Sequence, residues 1–397
     1  MKNKIILSCL LAVGLSGCTA EFLVITPETS LSSVTFFKTE ADFTQAVNAC
    51  YVPLRTIYND RSYLLAEMHS DNTYYYRNTA FGATEQQEDL ADFSIPVSNN
   101  LTTNTHVLNQ YRQDYLIIAR ANQILALIDK ADFDAAAKAN LKGQAQFMRA
   151  FAYFEIYRYF NKGPLQLTPV ANREEAAAKL GTADDISKII IGDLTGAIAG
   201  LKTKSTQEAG RATAGAARAL LANLYLIQKN WAGAEKLCRE IVAEGSYSLM
   251  ADYNNAFTTS TANKNNAESV FEVQYQEGAN GFQGSFMYNF MPRPMTSGEL
   301  FTLAGTSNPQ PQTGEGNNAP MPDLINSYEE GDLRKAASIG YITCSSTLWQ
   351  AKTYPYIKKF VRTHALNGNH GMNWPIFRYS EVLLFLAESL NEQGKTA

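Results

Sequence analysis

Apolar residues recur at intervals of three and four over several long stretches of this chain, and the stretches come in pairs. Leu108, Tyr111, Tyr115, Ile118, Asn122, Leu125 and Ile128 step along one side of a predicted helix from Val107 to Ile128. A return partner is predicted from Asp134 to Phe160, with Gly163-Pro164 as the punctuation after it. A first helix near Glu40 to Ile57 precedes this pair. Asp184 to Leu201, Thr213 to Gln228 and Trp231 to Glu244 follow it, the last two joined by a tight Lys229-Asn230 turn and closed by Gly245. Helical patterning resumes from Trp374 to Gln393, so Trp231 and Trp374 are both placed at helix starts. Helical hairpins of this size, with Ala216, Ala217, Ala219 and Ala222 allowing close approach, predict a mainly α, tetratricopeptide-like scaffold without the strict repeat signature.

The densest stretch is Gln146 to Phe160, with seven aromatic residues in fifteen. On a helix, Phe147, Phe151 and Phe154 fall in one narrow arc, and Ala150, Tyr153, Tyr157 and Phe160 widen it to about half the circumference. That width predicts burial on two sides, so these rings are expected to hold helices together and not to meet a ligand. Elsewhere the texture changes. Residues 61–106 and 263–373 are rich in Gly, Asn, Pro and aromatic residues and predict a loop-rich lobe, with one short strand, Ser269 to Tyr275, read from alternation.

Lys2 and Lys4 precede an apolar run, Ile5 to Leu15, that is too short to span a bilayer. Residues 1–17 therefore read as an export signal. Leu15-Ser16-Gly17-Cys18 has the form of a lipobox, which makes Cys18 the acylated first residue of the mature chain and residues 18–39 a tether leading to one domain at 40–397. The formal charge of −4 becomes −6 once the two signal lysines leave. With no basic stripe, nucleic acid is excluded as a partner. Cys50, Cys238 and Cys344 are odd in number and widely spaced, which is no disulfide framework, and they are expected to be small buried residues.

Several motifs in order along the chain carry a family resemblance. Gly143-Gln144-Ala145-Gln146-Phe147-Met148-Arg149-Ala150-Phe151-Ala152-Tyr153-Phe154, with Arg158-Tyr159-Phe160 after it, resembles the signature helix of the SusD/RagB family. Tyr115 to Asn122, Gly210-Arg211-Ala212-Thr213, Asn266-Ala267-Glu268-Ser269-Val270-Phe271, Gly331-Asp332-Leu333-Arg334 and Phe377-Arg378-Tyr379-Ser380-Glu381 are similar to further family segments. The resemblance implies a SusD-like fold without catalytic activity, anchored in outer-membrane lipid through Cys18 and facing outward. It also implies that the protein binds glycans, or peptides, and delivers them to a SusC-like TonB-dependent transporter. Members of the family usually continue beyond the Arg378-Tyr379-Ser380-Glu381 segment, so the chain is expected to be truncated, with Val382, Leu383 and Leu386 on an exposed face.

Glycans present flat C–H patches and hydroxyl rims, which suit rings interleaved with amides, carboxylates and guanidinium groups on loops. Asp71-Asn72-Thr73-Tyr74-Tyr75-Tyr76-Arg77 has that content, and consecutive tyrosines cannot all face one core. Asp71, Asn72, Tyr74, Tyr75 and Arg77 are the leading ligand-binding candidates, followed by Phe282, Tyr288 and Trp349 on two later loops. No catalytic residue, metal or cofactor is expected. His69, His106, His364 and His370 lack metal spacing and read as isolated surface or loop histidines. Gly314 to Ala319 matches a dinucleotide fingerprint in letters only. A lipid-anchored glycoside hydrolase is the competing reading, because paired carboxylates converge from distant sequence.

Overall fold

The computed structural model describes residues 36–60, 62–75, 85–94, 104–258, 260, 263–278, 280–292, 296–305, 316–345, 352–366 and 368–395. In chain order the helices are α1 (Glu40–Asp60), α2 (Ser62–Ala66), α3 (Glu85–Ala91), α4 (Thr105–Leu127), α5 (Ala135–Phe160), α6 (Ala183–Gly200), α7 (Ala214–Ile227), α8 (Trp231–Glu244), α9 (Ser297–Ala304), α10 (Pro322–Asn326), α11 (Leu333–Ser338) and α12 (Tyr379–Glu392). Short strands, β1 (Thr73–Tyr74), β2 (Gly163–Pro164), β3 (Leu180–Gly181), β4 (Ser269–Val273), β5 (Ala319–Pro320), β6 (Ile339–Cys344), β7 (Lys352–Ile357) and β8 (Trp374–Arg378), form four antiparallel pairs. The fold is mainly α, and α4 through α8 stack as successive hairpins, with α1 laid against α4 and α5 and α12 against α8.

Local chemistry sets most helix ends. Asp134 caps α5, accepting from the Ala137 N–H at 2.8 Å, and Thr182 and Asp185 form a reciprocal capping box on α6. The C-terminus of α5 is turned by Asn161 in the left-handed region (φ 58°), two residues before the Gly-Pro punctuation could act. Gly245 ends α8 in the same conformation, as its type predicts. Pro53 lies inside α1 and cannot donate to the carbonyl four residues earlier; the Arg120 guanidinium on α4 donates to that orphaned Ala49 oxygen at 2.5 Å.

The aromatic helix α5 is buried on two sides, as expected. Phe147, Phe151, Tyr153 and Phe154 have almost no exposure, and Phe147 meets Phe271 of β4 edge to face at 5.0 Å. Cys50, Cys238 and Cys344 are buried and unpaired. Several expectations change. The buried face of α4 includes Gln110 and Asp114, whereas Tyr111 and Tyr115 are only half-buried. All five residues of β4 are buried, so its alternation marks a buried polar partner, Glu272, and not a solvent face. Trp374 begins a strand, not a helix; α12 starts five residues later at Tyr379. Val382 is fully buried because α12 lies against α8, and Leu384 is the exposed residue instead.

The scaffold and the lobe meet at a joint of rings and ion pairs. Trp374 stacks on Phe360 at 4.6 Å and 10°; Phe290 packs on Phe360 at 5.2 Å and Tyr63 on Trp374 at 5.7 Å, and these two rings meet each other at 4.8 Å. Pairing of β4 with β8 brings two sequence-distant motifs together: Arg378 pairs with Glu268 at 2.6 Å, and the Ser380 hydroxyl donates to the same carboxylate at 2.7 Å.

Candidate functional site

Beside the joint, the loop leading to β1 forms one wall of a cavity of about 300 Å³. The wall is held by local bonds. Thr73 donates its hydroxyl to Asn318 at 2.6 Å, the Met321 N–H donates to the Asn72 carbonyl at 2.9 Å, and β1 pairs with β5. Asn318 occupies the left-handed region (φ 55°), which an asparagine tolerates and which turns the chain into β5. The buried rings of Trp374, Phe360 and Tyr63 make the floor, and the half-buried Tyr253 and Tyr328 stand at the rim.

Lys359 supplies the cavity's cation. Its ammonium lies 5.1 Å from the Phe360 ring centre and 5.4 Å from that of Phe257. Burial, and then the neighbouring Arg378 charge, lower its pKa, while Glu67 acts the other way. Among the described lining residues Glu67 is the single carboxylate. Aromatic faces, amides of Asn72 and Asn318 and one cation suit a polyol; a glycosidase would need two carboxylates about 5–9.5 Å apart across the bond. No group of three or more His, Cys, Asp or Glu able to hold a metal occurs among the described residues.

Next to this wall, Tyr74 is half-buried and donates its phenol to Asp92 at 3.3 Å. The neighbouring Phe93 is 70% exposed and stacks on His69 at 4.7 Å, held there with a positive φ of 55°. Asp71 and Asn72 are exposed. The structure thus brings Asp71, Asn72 and Tyr74 to one place and separates the other candidates. Tyr75 is buried in the core at 3% exposure, so its ring is not presented outward. Tyr288 is buried too; its hydroxyl bonds His364 at 2.8 Å and accepts from the Gly368 N–H at 3.0 Å, which ties down a loop. Phe282 is exposed but lines no part of this cavity, lying against Arg55 of α1. Arg77, Trp349 and Cys18 fall outside the described residues.

Of the surface-or-loop histidines, His364 and His370 lie on loops but are buried, and His106 is buried in α4. Tyr253, Tyr328, Lys359 and Phe93 were missed because each is isolated in sequence. Only chain reversal brings them to the loop.

The chain is thus a hairpin-stacked helical scaffold carrying a lobe with a ring-lined cavity, a class built on helical repeats. Residues 21–226, more than half of the chain, match a family described as starch-binding and associating with the outer membrane, and residues 343–397 match the SusD family. The chain belongs to the SusD/RagB family. A SusD-like protein of Formosa agariphila, P25, is 26% identical over 408 residues, covering 94% of this chain and 75% of that protein. Among solved structures, a laminarin binding SusD-like protein superposes with a TM-score of 0.72 at 21% identity, over 89% of this chain and 81% of that one. Surface glycan-binding protein A of Bacteroides thetaiotaomicron, in complex with laminarihexaose, gives 0.71 at 19% identity, over 90% and 79%.

Proposed function

We propose that this chain is a cell-surface lipoprotein of the outer membrane, held by acyl chains on Cys18, that binds oligosaccharides without cleaving them and passes them to a SusC-like TonB-dependent transporter. The observation that carries the reading is the match of residues 21–226 to a family described as starch-binding and associating with the outer membrane. The laminarin and laminarihexaose named for two structural neighbours support a glucan as ligand. Among the described residues no helix is long and apolar enough to cross a membrane, which accords with a lipid anchor. In this reading Asn72 acts with Tyr253, Tyr328 and Lys359 of the cavity lining, and Asp71 and Tyr74 flank Asn72 in sequence: the rings stack on sugar faces, and the amides and ammonium bond hydroxyl rims. A few half-exposed rings give a Kd of roughly micromolar to millimolar.

Calorimetry of the lipid-free protein with starch- and laminarin-derived oligosaccharides, with chromatography of the sugars afterwards, tests this. Saturable binding with intact sugar is expected, weakened about tenfold, or by about 1.4 kcal/mol, in Asn72→Ala and Tyr328→Ala. Release of shortened sugar at enzymatic rates would make the chain a hydrolase. Binding of peptides but of no sugar would make it a peptide receptor.

A further inference from the structure

A second cavity, of about 280 Å³, opens between α1, β4 and the loop 208–211. Its charges are unevenly satisfied. Glu208 is held by Arg211 at 2.5 Å, which lowers the Glu208 pKa. Glu272 is buried and accepts from the Asn265 N–H at 3.1 Å and from the Asn373 amide at 2.8 Å. Arg55 differs: among the described residues no carboxylate lies within ion-pair distance of it. Its guanidinium sits instead 4.9 Å from the centre of the Phe282 ring, which is 44% exposed.

Both halves of this pair are fixed from behind. Tyr275 donates its phenol to the Arg55 carbonyl at 2.9 Å. Asn59, one turn on, accepts from the Ser285 N–H at 2.5 Å and the Phe286 N–H at 3.1 Å, which ties the Phe282 loop to α1. A guanidinium laid against a ring keeps its N–H edge free, and that edge matches the two oxygens of a carboxylate. The Asn48 amide lines the same cavity and supplies partners for hydroxyls, whereas the Gln274 amide is already taken up by Asn265, Asn373 and the Glu272 carbonyl. Against an acidic chain, a single unneutralised guanidinium beside a ring and an amide is a local, directed feature, not a general attraction for polyanions.

We infer that the Arg55–Phe282 pair and its cavity form a second saccharide subsite, selective for a carboxylated sugar unit such as a hexuronate. The inference rests on the glycan-binding reading above but uses residues separate from the Asn72 cavity. The carboxylate pairs with the Arg55 edge, the sugar ring packs beside Phe282, and its hydroxyls reach Asn48.

The test is calorimetry of the lipid-free full chain with trigalacturonate, and separately with maltotriose and laminaritriose, for wild type, Arg55→Gln, Arg55→Lys and Phe282→Ala, with thermal melts of each. Trigalacturonate binding is expected to fall at least tenfold in Arg55→Gln and Phe282→Ala, and less in Arg55→Lys, which keeps charge without the fork. Neutral sugars should bind all four forms alike. Equal trigalacturonate affinity in wild type and Arg55→Gln, or none in wild type at millimolar concentration, overturns the inference. Arg55→Lys distinguishes lost recognition from lost folding, because it preserves the stem over Phe282. If neutral sugars bind and trigalacturonate does not, this subsite alone fails. If only trigalacturonate binds, and through Arg55, the subsite stands and the neutral-glucan reading of the Asn72 cavity falls.

Discussion

Arg149 sits in the aromatic helix yet is anything but a bystander: its guanidinium donates to both oxygens of Asp193 on α6 at 2.7 Å and to the Asn122 amide oxygen on α4 at 2.8 Å. One buried fork therefore joins three helices. Burial raises the Asp193 pKa even though Arg149 pulls it down, so the pair is held by geometry against a desolvation cost. Arg149→Ala strands a buried carboxylate and is expected to cost about 3–5 kcal/mol in urea unfolding. His370 carries a different prediction. Its Nδ1 accepts from the Met372 N–H at 3.2 Å, and its ring meets Phe286 edge to face at 4.4 Å with no exposure. Burial, then His364 and Lys264, push its pKa well below the usual value, so the folded chain binds fewer protons than the unfolded one. Stability is then lost as pH falls below about 6.5, by up to about 1.4 kcal/mol per pH unit. Unfolding curves of wild type and His370→Gln at pH 7, 6 and 5 should diverge by that slope; His364, held low by burial, and Glu381, pushed up to about 7 by burial, titrate in the same window but are common to both proteins. Neither role is written in the residue types, since an isolated arginine or histidine in sequence has no visible partner.

Elements were the most legible level. The period of α4, α6, α7 and α8 and the ring arc of α5 placed these helices within a residue or two of their observed bounds, because alternation between water and core is imposed locally along each helix. Helix spacing depends on smaller features. A Cβ added at Gly200 would lie 2.6 Å from the Ala139 carbonyl oxygen of α5, and backbone cannot swing aside. Gly200→Ala should therefore push α6 from α5 and cost about 1–3 kcal/mol, read as a lowered Tm. Where the period misled, burial on both faces was the cause. β4 hides its polar residue in a network with Asn373, and the stretch opening at Trp374 runs five residues as a strand before turning helical. Apolar patterning cannot separate a buried strand from the first turns of a helix.

For the molecule as a whole, the joint between scaffold and lobe decides cooperativity. Trp374, Phe360, Phe290 and Tyr63 form one buried stack that draws on four separated parts of the chain. Wild type should unfold in a single transition, coincident by circular dichroism and tryptophan fluorescence. Trp374→Ala should lower stability by about 3–5 kcal/mol, and the circular dichroism midpoint should then part from that of near-ultraviolet aromatic signals as the lobe loosens first. The family motifs have their physical meaning here as well: Glu268 meets Arg378 and Ser380, residues 110 and 112 positions away, so these segments act as joints. By itself the sequence determined the helical scaffold, the inward aromatic helix, the reduced cysteines and the loop character of the lobe, because periodicity and turn chemistry act between near neighbours. Only the tertiary structure decided which loop rings are buried, as Tyr75 and Tyr288 are, and which polar groups converge, as Asn72, Tyr328 and Lys359 do. Convergence depends on how distant segments cross, and a residue's identity carries no record of the segment it will face.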